Sequence, residues 1–228
     1  DLAVDPQGRP PLKPYATTAA LVAGCRRIFG RVHPDFGRKF DRIRAKGYLD
    51  LDSRKGKAPG GYMCGFDAER MPFIFVNGTG RHQDVQTLLH EGGHAFHTLL
   101  AYGQDFHFNQ GYPIEFAEVA SMGMELLAAP HLGAFYGEAD ARRAREQHLE
   151  SMLDLFAWIA TIDAFQHQVY LGQDRRAAWA EVRQRFKGAD DWTGYRAEHA
   201  ALWQRQMHLF GSPFYYIEYA IAQIGALQ

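Results

Sequence analysis

L-L-H-E-G-G-H-A-F-H, residues 88–97, is the stretch that decides the fold of this 228-residue chain. Side chains four positions apart lie on one face of a helix, so His90 and His94 can offer two imidazoles to one tetrahedral metal ion. Glu91 lies about 100° around the helix from His90, where it reaches a water on that metal rather than the metal itself. This H-E-x-x-H arrangement predicts a zinc site with Glu91 as the general base.

Two glycines stand in the middle of the same stretch. Gly92 and Gly93 each cost about 1 kcal/mol relative to alanine inside a helix. A helix that served only as a scaffold would gain stability by replacing them. Their presence predicts that other groups approach the backbone of this helix closely.

A catalytic zinc site needs a third protein ligand and an open position for water. The candidates that follow the motif are His97, His107, Glu115, Glu118 and Glu125. A straight helix cannot wrap three side chains around one ion, so we expect His97 to support a ligand or to pack beside the site. His107 would require a more tightly spaced motif than this one. Periodicity alone does not separate Glu115 from Glu118.

The rest of the pattern predicts a mainly helical fold with one small sheet. Two short strands, Tyr62–Phe66 and Pro72–Asn77, flank a turn and are rich in aromatic and β-branched residues. The predicted helices cover residues 18–29 (capped by Thr17 or Thr18), 34–46, 83–102, 114–128, 139–171, 174–186, 192–208 and 214–227. Because both ends look cut, we expect residues 1–228 to be a single catalytic domain from a longer chain.

Composition excludes several classes of protein. Lys and Arg number 25 and Asp and Glu number 26, so the chain carries no basic footprint for nucleic acid. No apolar run approaches the ~20 residues that a membrane span needs, and the N-terminus lacks the pattern of a signal peptide. The only two cysteines, Cys25 and Cys64, stand in different contexts. A reducing, cytoplasmic location is therefore expected.

The motif and the segment after it resemble the thimet oligopeptidase and oligoendopeptidase F family. That family shows H-E-x-G-H-x-x-H followed by E-x-x-S-x-x-x-E, and here E-V-A-S-M-G-M-E begins after 23 residues counted from His94. The resemblance implies Glu118 as the third zinc ligand, Glu91 as the base and Glu125 as a group that orients a ligand histidine. It also implies a zincin-type fold, one Zn²⁺ per chain, and hydrolysis of internal peptide bonds in oligopeptides.

The resemblance extends upstream of the motif. The segments G-K-A-P-G-G-Y-M-C-G-F (56–66) and P-F-I-F-V-N (72–77) are similar to the Gly-rich loop and the edge strand of the family. An edge strand offers free backbone groups for pairing with an extended peptide. The resemblance therefore implies substrate contacts at Gly60, Gly61 and Phe75, while an ordinary hairpin remains the alternative.

Downstream, H-L-F-G-S-P-F-Y-Y-I-E-Y-A (208–220) resembles the His- and Tyr-rich segment that the family carries near its active site. His208, Tyr216 and Tyr219 match its functional positions best. Tyr216 and Tyr219 are three apart, so a helix would place both on one face, from which their hydroxyls could donate to the oxyanion on the scissile carbonyl. The alternative is an aromatic stripe in the core.

Three competing functions fit the pattern less well. An H-E-x-x-H aminopeptidase would have a shorter gap to its third ligand and a different strand motif. A binding module that grips peptides without cutting them has no need of Glu91. A structural zinc site would be closed by four protein ligands, often including cysteine, and the sequence offers no suitable fourth. Nothing in the pattern indicates an oligomeric state.

Overall fold

The computed structural model describes residues 5, 7–187 and 191–228 of the chain. These residues form two compact units. The first runs to Gln147 and includes residues 226–228, and the second comprises His148–Gly225. No helix in the described ranges is long and apolar enough to cross a lipid bilayer.

The first unit combines helices with one small sheet, and the mainly helical fold class is confirmed. Its elements are α1 (Thr18–Val32), α2 (Pro34–Ala45), β1 (Leu49–Asp52), β2 (Tyr62–Phe66), β3 (Met71–Gly78), α3 (His82–Ala101) and α4 (Ile114–Ala128), and α5 (Glu138–Tyr170) begins in it. Short 3₁₀ turns cover His107–Gln110 and Ala129–Ala134. The boundaries of α2, α3, α4 and α5 match the predicted ones to within a residue or so.

Local chemistry sets where these helices begin. The Thr17 hydroxyl accepts a hydrogen bond from the backbone N–H of Ala20, which caps α1 as predicted. Pro34 opens α2, where its missing N–H costs nothing. The Asp84 carboxylate accepts the backbone N–H of Arg81 at 2.9 Å and closes the first turn of α3.

The sheet has three strands in the order β1-β3-β2, with β1 parallel and β2 antiparallel to β3. The prediction that residues 72–77 form an edge strand is therefore wrong, because β3 is paired on both sides. The sequence pattern did not reveal β1, which pairs in parallel with residues 25 or 26 positions further along the chain. The edge strand beside α3 is β2.

Helix α3 lies at the centre of the first unit, between α1 and α4. A side chain at Gly92 would collide with the Phe29 ring of α1. A Cβ at Gly93 would lie 2.6 Å from both the Ala120 carbonyl oxygen and the Ser121 Cα of α4. The close approach predicted from the two glycines is confirmed, and it places the H-E-x-x-H turn directly against α4.

The second unit is built from the greater part of α5, from three shorter helices and from most of α9: α6 (Arg175–Lys187), α7 (Arg196–Ala201), α8 (His208–Gly211) and α9 (Glu218–Leu227). Its core contains Trp179, which is fully buried and packs edge-on against Phe165. The predicted helix over 192–208 is wrong in length, because a 3₁₀ turn at Leu202–Arg205 follows α7. The predicted helix at 214 begins instead at Glu218, since Phe214 has a positive φ of 61°.

Candidate metal centre

Two histidines and one glutamate converge where α3 meets α4. His90 and His94 lie one turn apart on α3, and Glu118 comes from α4, with one ligand atom of each within 4.8 Å of the others. Glu118 Oε2 lies 3.3 Å from His90 Nε2 and 3.5 Å from His94 Nε2. Of the two glutamates that periodicity left open, Glu118 rather than Glu115 joins this cluster.

Each histidine is held from behind by a hydrogen bond. His90 Nδ1 lies 2.7 Å from Glu125 Oε1. His94 bonds to the backbone carbonyl of Ala117. Such partners fix the orientation of an imidazole and favour the tautomer that leaves its other nitrogen free to bind a metal. Both rings therefore turn Nε2 toward Glu118.

Glu118 is itself held in place within α4. The side chain of Ser121 is fully buried, and its hydroxyl lies 3.0 Å from both the backbone oxygen and Oε2 of Glu118. Oε2 is the oxygen that faces the two histidines. Ser121 thus restrains the one carboxylate atom on which the cluster converges.

The electrostatics of the cluster favour a positive charge. Burial acts to lower the pKa of His90, but its hydrogen bonds to Glu118 and Glu125 outweigh burial and raise that pKa to about 10. Burial and the neighbouring His90 charge lower the pKa of His94 to about 4. Burial acts to raise the pKa of Glu118, yet the adjacent histidines hold it below its usual range. Two carboxylates around two imidazoles form an environment that favours a divalent cation.

Glu91 sits beside this cluster and is 6% exposed. Burial is the main cause that raises the pKa of its carboxyl to about 7. The backbone N–H of Met63, on the edge strand β2, donates a hydrogen bond to this carboxylate. Glu91 is therefore held between the metal-binding turn and the strand that borders it.

His97, one turn beyond His94, packs beside the cluster. Its ring stacks on Tyr112 with 4.0 Å between centroids and 26° between planes. Among the described residues, its buried Nδ1 has no hydrogen-bond partner. The predicted support of a ligand by His97 stays a prediction, and the contact that the structure provides is the aromatic one.

The glycine loop and the predicted aromatic contact lie on the strand side of α3. A Cβ at Gly61 would come 2.7 Å from the Thr87 side chain of α3, so this loop passes close to the helix. Gly60 has a φ of +95°, which glycine adopts without strain. Phe75 is only 9% exposed, because it stacks on Tyr62, which is 48% exposed. The ring that a ligand could touch is therefore Tyr62 rather than Phe75.

The three downstream residues come together within the second unit. The His208 ring lies 4.9 Å from that of Tyr216 and 5.7 Å from that of Tyr219. Tyr216 precedes α9 whereas Tyr219 lies in it, so the prediction that both tyrosines share a helical face is wrong. Burial raises the pKa of Tyr216, while the neighbouring Trp158 and Gln206 act to lower it.

Sequence reasoning missed four groups that contact the predicted site residues. They are the Ser121 hydroxyl, the Ala117 carbonyl, the Met63 N–H and the Tyr62 ring. The E-x-x-S spacing could have identified Ser121, because residues three apart meet on one helical face. The two backbone groups leave no signal in residue type, since any amino acid supplies them.

Comparison with known proteins accounts for nearly the whole chain. The model of peptidase family M3 matches residues 35–228. The chromosomal oligoendopeptidase F of Lactococcus lactis subsp. cremoris is 26% identical over 163 residues, which cover 72% of this chain and 24% of that protein. PZ peptidase A, solved with an inhibitor, is 31% identical with a TM-score of 0.89, over 98% of this chain and 40% of its own. A crystal structure assigned as an oligoendopeptidase F is 34% identical with a TM-score of 0.88 over the same shares.

The chain thus spans less than half the length of each of these relatives. The fold shared with them is of the zincin type, as the family resemblance implied. The resemblance to oligoendopeptidase F is likewise confirmed. The chain belongs to peptidase family M3.

Proposed function

We propose that this chain is the zinc-binding catalytic part of a metalloendopeptidase that hydrolyses internal peptide bonds of oligopeptides. One Zn²⁺ is held by His90, His94 and Glu118, and Glu91 is the general base. The named relatives, an oligoendopeptidase F and a PZ peptidase, support this class of substrate.

The observation that carries the proposal is the convergence of three ligand atoms within 4.8 Å, with the buried carboxylate of Glu91 beside them. Two imidazoles and one carboxylate form the ligand set of a catalytic rather than a structural zinc site, which leaves a coordination position open. The hydrogen bonds behind His90 and His94 support the same assignment. These residues fit a divalent metal ion.

The chemistry divides between the metal and the chain. A bound Zn²⁺ supplies Lewis acidity, which polarises the scissile carbonyl and lowers the pKa of water toward about 7. Glu91 accepts the proton of the attacking water and passes it to the leaving amine. Glu125 holds His90 in the ligating tautomer, as a carboxylate behind a ligand histidine does. His208, Tyr216 and Tyr219 are proposed as groups that bind the substrate and stabilise its oxyanion.

The substrate is proposed to bind in an extended conformation along β2. This strand has β3 on one side, and the N–H of Met63 on it points to Glu91. A peptide added to such an edge gains main-chain hydrogen bonds that do not depend on its sequence. Gly60 and Gly61 lead into this strand, and Tyr62 offers an exposed ring to a substrate side chain.

The test measures metal content and cleavage of a quenched fluorescent oligopeptide library on the same sample. We expect about one zinc per chain, and internal cleavage that a chelator abolishes and added zinc restores. Glu91→Gln should keep its metal but lose kcat/KM by about 10³-fold, because only the proton transfer is removed. Glu115→Gln is the matched control and should retain activity. Cleavage by Glu91→Gln at the wild-type rate would refute the base, and failure to bind metal would refute the function.

A further inference from the structure

Lys57 lies in the Gly-rich loop between β1 and β2, and its side chain is only 1% exposed. Lysine is almost never so deeply buried unless its charge is paired. Its ammonium lies 3.0 Å and 2.9 Å from the carbonyl oxygens of Asp50 and Asp52, and 3.1 Å from the Asp50 carboxylate. It also lies 2.6 Å from the carbonyl oxygen of Val76 on β3. All three of its N–H donors are thus used, on two different strands.

These contacts fall where the ladder between β1 and β3 is irregular. The pairing register shifts between Asp50 and Asp52. Backbone carbonyls at such a break need another donor, since an unpaired buried carbonyl is costly. Lys57 supplies the donors and so ties the loop to both strands. Arg54 and Lys57 hold the pKa of Asp50 at about 2, so this carboxylate keeps its charge at neutral pH.

A second side chain holds the same loop further along. The Asn77 amide, at the end of β3, donates to the carbonyl oxygens of Ala58 at 2.8 Å and Gly60 at 3.0 Å. The next residue, Gly61, packs against the Thr87 side chain of α3. The loop is therefore fixed from the sheet on one side and touches the metal-binding helix on the other.

Two contacts connect this attachment to the site. The Lys57 ammonium lies 4.3 Å from the centroid of the Phe75 ring, on which Tyr62 stacks. Met63 follows at once, and its N–H bonds to Glu91. Residues 57–63 thus form a short segment that these contacts hold in place and that connects the sheet to the proposed base. A strand that must pair with an extended peptide binds it more tightly when its position is set beforehand.

We propose that Lys57, together with Asn77, is a positioning residue for peptide hydrolysis: the two side chains fix the 53–61 loop and thereby hold β2 ready to pair with the substrate. This inference rests on the proposed function. Lys57 and Asn77 act through β2 and touch neither the metal ligands nor the reacting atoms.

The experiment compares Lys57→Met and Asn77→Ala with the control Arg54→Met in the 228-residue chain. Lys57→Met keeps an unbranched apolar side chain and removes the ammonium with its hydrogen bonds. Arg54 also binds the Asp50 carboxylate, at 2.6 Å, but is 56% exposed and donates to nothing on β3. Arg54→Met therefore removes a cation from the same aspartate and leaves the contacts of Lys57 and Asn77, which tie the loop to β3, in place.

We expect Lys57→Met and Asn77→Ala to keep metal affinity within about twofold and to raise KM about tenfold, with a smaller change in kcat. Pairing with β2 acts on bound substrate before the chemical step, so its loss appears in KM. Amide hydrogens of residues 58–66 should exchange about tenfold faster in both variants. Arg54→Met should match the wild type in every measurement.

Unchanged exchange and unchanged KM in both variants would overturn the inference. Faster exchange with wild-type KM would overturn it too, since the side chains would then only stabilise the loop. If Lys57→Met does not fold, Asn77→Ala decides. A wild type that neither binds metal nor cleaves peptides would refute the proposed function instead. In that case hydrogen exchange still tests the attachment of the loop. If amides 58–66 exchange as fast in the wild type as in Asn77→Ala, Asn77 does not hold the loop.

Discussion

At the scale of single residues, the hydroxyl of Ser121 directly contacts a proposed metal ligand. It is fully buried and lies 3.0 Å from the Glu118 oxygen that faces both histidines. Removing a group that holds a metal ligand in this way typically lowers metal affinity 10–100-fold. We therefore expect Ser121→Ala to weaken zinc binding about tenfold, as measured by competition with a chromogenic chelator.

The control for this prediction is Thr161→Ala. Thr161 is also fully buried, and its hydroxyl donates to the Ala157 carbonyl at 2.7 Å, within the second unit. Its removal costs a similar buried hydrogen bond without touching the metal centre, so zinc affinity should not change. Equal zinc affinities for the two variants and the wild type would show that Ser121 does not restrain Glu118.

The residues of the metal centre were predictable because helical periodicity converts sequence spacing into direction. His90 and His94 follow from their spacing of four, and the family resemblance selected Glu118 over Glu115. The groups that hold these ligands were harder to predict from the sequence. The Ala117 carbonyl and the Met63 N–H are backbone atoms, whose roles depend on how α4 and β2 meet α3 rather than on residue type.

At the scale of elements, the contact of α3 with α4 depends on one glycine. A Cβ at Gly93 would lie 2.6 Å from backbone atoms of α4, which cannot move without displacing the helix. We expect Gly93→Ala to lower the free energy of unfolding by about 1–3 kcal/mol, because overpacking outweighs the gain in helix propensity. Urea denaturation followed by circular dichroism measures this change.

Gly123 provides the matched comparison on α4. It is also within a helix, but nothing lies within 4 Å of where its Cβ would be. Gly123→Ala should therefore raise the free energy of unfolding by about 0.5–1 kcal/mol, because alanine loses less backbone entropy on folding. Opposite signs for the two substitutions are the expected result. A stabilising Gly93→Ala would mean that α3 and α4 are further apart than described.

Elements with local signals were predicted well, and elements fixed by distant contacts were not. Helix α3 is predicted by apolar spacing that continues over five turns. Strand β1 is only L-D-L-D, and it forms because it pairs in parallel with β3. Near the C-terminus, apolar composition predicted long helices, but the structure has shorter helices separated by turns. The break at Phe214 is a backbone conformation, with a φ of 61°, that apolar periodicity does not encode.

At the scale of the whole molecule, the two compact units differ in their relation to the metal. His90, His94 and Glu118 all lie in the first unit, so a bound metal ion ties α3 to α4 there. A ligand that binds only the folded state stabilises it by about 4 kcal/mol at a thousandfold excess over its Kd. The metal therefore acts on the unfolding of the first unit.

The tryptophans allow this to be measured, because all four of them, Trp158, Trp179, Trp192 and Trp203, belong to the second unit. Circular dichroism follows helices of both units, whereas tryptophan fluorescence follows the second alone. We expect zinc to raise the thermal midpoint detected by circular dichroism, and a chelator to reverse the change. The zinc-dependent shift in the fluorescence midpoint should be no larger than the shift detected by circular dichroism. The two shifts are equal only if the units unfold together.

Variants of the site decide whether this stabilisation comes from the proposed ligands. His94→Ala removes a ligand and should abolish the zinc-dependent shift in the midpoint, since two remaining protein ligands hold the ion weakly. Glu91→Gln removes the base but no ligand and should keep the shift in full. A His94→Ala protein that zinc still stabilises as strongly as the wild type would place the metal elsewhere in the chain. Loss of the shift in Glu91→Gln would instead make Glu91 a ligand, which contradicts its role as the general base.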